Sequence, residues 1–86
     1  MDITVDITLD KMKNEVDVAT LKLLERNGVN ITTIEDVTDQ VKQRGWHVNI
    51  LKDTVIPRRL KYTILLYDGK YKVIDSEEIT INFIFN

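Results

Sequence analysis

Ile3, Val5, Ile7 and Leu9 alternate with Asp2, Thr4, Asp6 and Thr8. A period of two predicts a strand with one buried and one wet face. The period then lengthens. Val16, Ala19, Leu23 and Leu24 recur at helical spacing between Asn14 and Asn27. Asn14 is a good N-cap, Glu15 and Asp17 suit the positive end of the helix dipole, and Gly28 suits a left-handed C-terminal position. Val18 and Leu21 fall outside the inward stripe, so they mark either a wide buried face or a contact with a partner. A second helix is predicted after Thr32-Thr33, where a threonine stands three residues ahead of an acid. Ile34, Val37 and Val41 would line its inward face, and Gly45 would close it.

The pattern then returns to strands. Trp46, Val48 and Ile50 alternate with His47, Asn49 and Leu51. Lys52 to Arg59, holding the single proline, reads as a loop. Leu60 to Tyr67 and Lys70 to Ile74 flank Asp68-Gly69, the dipeptide of a two-residue hairpin turn. That register puts Tyr62, Ile64, Leu66, Tyr71 and Val73 on a core face. The other face takes Lys61, Thr63, Leu65, Tyr67, Lys70, Lys72 and Ile74. A polar break precedes a last strand, Ile79 to Phe85, which is uncharged and needs a neighbour. The predicted architecture is a single α+β domain over 1–86. A strand and two helices precede four strands, and both helices pack on one face of a mostly antiparallel sheet.

Composition narrows the function classes. The 86-residue chain has no cysteine, which fits a reducing cytoplasmic compartment. No apolar run is long enough for a membrane span, and no membrane role is expected. No phosphate-binding glycine loop or cysteine nucleophile is present. His47 and Ser76 are the only members of their kinds, and neither stands in a motif, so no catalysis and no cofactor are expected. Asp2, Asp6 and Asp10 are spread along an extended strand, roughly 13 Å between fourth neighbours, too far apart for one metal ion. Net charge is -2, but residues 1–40 hold nine acids against four bases, while residues 41–86 hold eight bases against five acids. Such polarity can orient a partner.

These readings leave a non-enzymatic protein-binding or regulatory module, self-associating as a homo-oligomer. Its candidate partner-binding residues are Lys61, Tyr67, Lys70 and Lys72 on the hairpin, and Val18 and Leu21 on the first helix. The mixed hairpin face could meet an acidic protein surface or a single-stranded nucleic acid. One tyrosine is a poor stacking platform, which favours protein. The alternative is duplex DNA. Helix, Gly28-Val29-Asn30 turn, helix, strand and basic loop resemble the central part of a winged-helix domain. That resemblance implies Arg58 and Arg59 as phosphate contacts in a wing, and Ile34 and Val37 as anchors of a recognition helix. Glu35, Asp36 and Asp39 on that helix would repel the phosphate backbone.

Overall fold

The structure is a computed structural model that describes residues 2–7, 12–56 and 59–83. Its elements are β1 (Asp2–Ile7), α1 (Met12–Arg26), α2 (Ile34–Gln43), β2 (His47–Ile56), β3 (Arg59–Tyr67) and β4 (Val73–Phe83). The fold class is α+β. The sheet order is β1-β4-β3-β2. β2, β3 and β4 form an antiparallel meander, and β1 joins β4 in parallel, Ile3 opposite Ile79 and Val5 opposite Ile81.

The expected strand, two helices and four further strands are not matched, because three strands follow the helices. Residues read as a polar break, Asp75 to Glu78, continue β4. Residues read as a loop, Lys52 to Ile56, continue β2. Pro57 and Arg58 lie outside the described residues, as do Asp10 and the end of the last strand at Phe85.

The core sits between the sheet and the helices. Tyr62, Ile64 and Leu66 of β3 and Ile79 and Ile81 of β4 meet Val16, Ala19, Leu23 and Leu24 of α1, with Val29 and Val37. The α1 stripe is the one its spacing predicts. Helix α1 starts at Met12, so Asn14 is a first-turn residue and not the cap. Methionine and lysine at 12 and 13 are good helix formers and extend the helix backwards.

Both helices end in the same way. Gly28 (φ +90°) and Gly45 (φ +71°) are left-handed. Val29 N–H donates to Leu24 O at 3.1 Å and Gly28 N–H to Glu25 O at 3.0 Å. Trp46 N–H donates to Val41 O at 3.1 Å and Gly45 N–H to Lys42 O at 2.9 Å. These paired bonds satisfy carbonyls that a helix end would otherwise orphan. At the start of α2, Thr33 accepts from Asp36 N–H at 3.1 Å, while the Asp36 carboxylate accepts from Thr32 and Gln40. The Gln40 amide also brackets the backbone of Asn30, accepting from its N–H at 3.0 Å and donating to its carbonyl at 2.8 Å. Helix α2 is thereby tied to the turn that precedes it.

The hairpin between β3 and β4 departs from its expected register. Tyr67 pairs with Val73, Leu66 with Asp75 and Ile64 with Glu77, with a bulge between the first two pairs. The loop is five residues long, because Asp68 serves as a cap. Its carboxylate accepts from Lys70 N–H at 2.8 Å and Lys72 N–H at 2.9 Å. Tyr71 N–H donates to Asp68 O at 3.0 Å, and Tyr71 takes the left-handed conformation, φ +61°. A two-residue type I′ turn needs positive φ at both central positions, and Gly69 is not in that region. The consequence is a change of faces. Ile64 and Leu66 are buried as expected, but Val73 is 47% exposed and Tyr71 72% exposed, so neither belongs to the core.

Candidate functional site

The inward face of β4 explains why its polar half is a strand at all. Asp75 and Glu77 point to the helix side, where bare carboxylates would be costly. Arg26, in the last turn of α1, meets both. Its Nε lies 2.9 Å from Asp75 Oδ2, its Nη1 lies 3.3 Å from Glu77 Oε2, and Nη2 donates to Ser76 O at 3.2 Å. Asn27 Nδ2 donates to Asp75 Oδ2 at 2.9 Å and to Leu23 O at 2.8 Å. The Asp75 carboxyl is pulled down to about 2 by the Arg26 hydrogen bond first, then by Asn27. The Arg26 guanidinium is raised above its ordinary value, chiefly by its bond to Asp75. This constellation clamps the end of α1 to β4. It consumes the two carboxylates, so it is structural in geometry and offers no free acid-base pair.

The candidate partner residues separate into three places. Lys61 and Tyr67 lie on the outer face of the sheet, away from the helices, and Lys61 Nζ is 3.1 Å from Glu78 Oε1. Lys70 and Lys72 lie in the hairpin loop and are exposed. The continuous basic-aromatic sheet face drawn from a two-residue turn is therefore not formed. Ile74, placed on that face by the same register, is skipped by the bulge. Arg59 lies at the start of β3, paired with Asn82, to whose Oδ1 its Nε donates at 2.7 Å. It is the first residue of β3, at the end of the β2–β3 hairpin, where it pairs with Ile56. Arg58 lies outside the described residues.

Val18 and Leu21 form a third location, and here the structure adds residues that the sequence pattern did not. Val18 is 45% exposed, Ile31 37% and Ile34 79%. Val18, Leu21, Lys22, Glu25 and Ile31 line one open groove. Asp17, Thr20, Leu21, Leu24, Ile34, Val37 and Thr38 line a second. Leu21 is common to both, so the two grooves join into one apolar face across α1 and the start of α2. Ile34 was expected inside with Val37 and Val41. It is outside because α1 and α2 leave the second groove open between them.

The edge question of the last strand is also answered: β4 lies between β1 and β3. Among the described residues, no cluster of three or more His, Asp or Glu could hold a metal ion, and no helix is long and apolar enough to cross a membrane. The chain matches no protein-family model, and neither a curated protein nor a solved structure matches it.

Proposed function

We propose that this chain is a non-catalytic protein-binding module that docks a second copy of itself through the apolar face around Leu21. One observation carries the reading. Val18, Ile31 and Ile34, three large aliphatic residues from separate segments, are exposed together around a shared half-buried leucine. Single exposed aliphatics need no explanation, but a contiguous group does. The rim suits a two-fold contact. Lys22 and Glu25 stand about one helical turn apart with opposite charge, so α1 packed against an antiparallel copy sets each near its complement.

Light scattering and sedimentation equilibrium across micromolar concentrations test this. The wild-type chain should show concentration-dependent dimerisation, and Val18→Glu combined with Ile34→Glu should leave a folded monomer. Both positions are solvent-exposed, so the substitutions bury no charge in the monomer. A wild-type chain that stays monomeric throughout refutes the proposal. The duplex-DNA reading has no observation of this kind behind it, since α2 opens with exposed Glu35 and Asp36 and Arg59 is bonded within the sheet.

A further inference from the structure

We infer that a second binding site, for single-stranded nucleic acid, lies at the opposite end of α2 from the apolar face. Two turns far apart in sequence meet there. A Cβ placed on Gly69 would lie 3.5 Å from Gly45 O, within ordinary van der Waals range, so the α2–β2 turn and the β3–β4 loop run side by side with room for little more than a methyl group between them. The first turn brings Lys42, Arg44, Trp46 and His47. The second brings Tyr67, Lys70, Tyr71 and Lys72.

The chemistry of this junction is of two kinds. Lys42, Arg44, Lys70 and Lys72 are all exposed. Asp68 is the single acid in the segments 42–47 and 67–72, against these four cations. The two N–H bonds from Lys72 and Lys70 hold its carboxyl below its usual range and occupy it with the loop backbone. Asp68 therefore stays ionised, and the four cations against this one carboxylate leave a formal excess of three positive charges in the two segments, on a chain whose net charge is -2. Among the described residues, the four cations make no ion pair.

The second component is a set of ring faces. His47 and Tyr71 are stacked, centroids 5.0 Å apart and planes 7° from parallel. Tyr71 is 72% exposed, which leaves π surface free for a further ring. The Arg44 guanidinium lies 4.9 Å from the Trp46 ring centroid. Trp46 and His47 also line an open groove with Lys42 and Val41. Tyr71, whose ring stacks on His47, also takes a left-handed backbone conformation that is uncommon for an aromatic residue.

Cations beside exposed ring faces match a phosphate backbone with unstacked bases. An acidic peptide would use the cations but has no need of the rings. A duplex offers phosphates but keeps its base faces stacked internally. Single-stranded RNA and single-stranded DNA share the chemistry that fits both components.

Fluorescence anisotropy with labelled oligo-U and oligo-dT of about twelve nucleotides, within the usual footprint of small single-strand-binding folds, tests the site. A duplex of equal length and poly-glutamate serve as competitors. Binding to either single strand is expected, with a logarithmic salt slope of about -2 to -3 for three or four phosphate contacts. Tyr71→Gly removes the ring while keeping a residue suited to positive φ, and should weaken binding roughly tenfold or more. Lys70→Gln with Lys72→Gln should reduce the salt slope by about 1.4. Urea midpoints of both variants confirm that they fold. No salt-sensitive binding to either strand overturns the inference. So does Tyr71→Gly binding as wild type, or competition by duplex or poly-glutamate at equal concentration. The Val18→Glu/Ile34→Glu variant should bind the oligonucleotides undiminished at a single junction, which separates this site from the dimer contact.

Discussion

Asp75→Asn isolates the clamp between α1 and β4. Asparagine keeps an oxygen that can accept from Arg26 and Asn27 but carries no charge. The Asp75 carboxyl sits at about 2, against 3.8 for an ordinary aspartate, because Arg26 and then Asn27 bond its charged form. At about 1.4 kcal/mol per unit, the full depression would correspond to roughly 2.4 kcal/mol. Solvent reaches the pair, the Asp75 side chain being 30% exposed and that of Arg26 42%, so screening reduces this to about 1 kcal/mol. The sign follows from the depressed value. Wild type is favoured at pH above the unfolded aspartate value, and that advantage is lost as pH falls from about 4 through about 2. Urea unfolding of both proteins at a series of pH values measures it. A difference of about 1 kcal/mol corresponds to a midpoint shift of about 0.5 M for a slope of about 2 kcal/mol per M. The gap between the proteins should close at the acid end. A gap that persists unchanged at acid pH would refute the electrostatic argument and assign the effect to packing.

Two further substitutions test the hairpin register and a helix end. Ile64→Ala should cost about 2–4 kcal/mol in urea or thermal unfolding, because Ile64 is fully buried, whereas Val73→Thr should change stability by no more than about 0.5 kcal/mol. Equal losses at both positions would restore the two-residue turn. Gly28→Ala should lower stability by about 1 kcal/mol through its φ of +90° alone, since an added Cβ meets nothing closer than Arg44 Nη1 at 4.0 Å. An unchanged melting temperature would show that the turn adopts another conformation at no cost.

Much of the architecture follows from local pattern. The α1 stripe, the Thr33 cap and the two glycine helix ends are decided within a few residues, because helix hydrogen bonds and caps join near neighbours. The alternation of β3 likewise marks Ile64 and Leu66 as inward, and the helical spacing of α1 sets Val18 and Leu21 off its stripe. What local pattern could not supply is anything set by contacts across the chain. Asp75 and Glu77 look like a break until Arg26, about fifty positions earlier, supplies their partner. Asp68-Gly69 looks like a tight turn until the Asp68 side chain takes two N–H groups of the loop. The apolar face needed Ile31 and Ile34 beside Leu21. The basic-aromatic junction needed Gly45 against Gly69, and that contact placed Trp46, His47 and Tyr71 among four cations. Sequence spacing determines which way a side chain points from its own element. Which elements then meet is a matter of tertiary packing, and in this chain both proposed binding surfaces arise at such meetings.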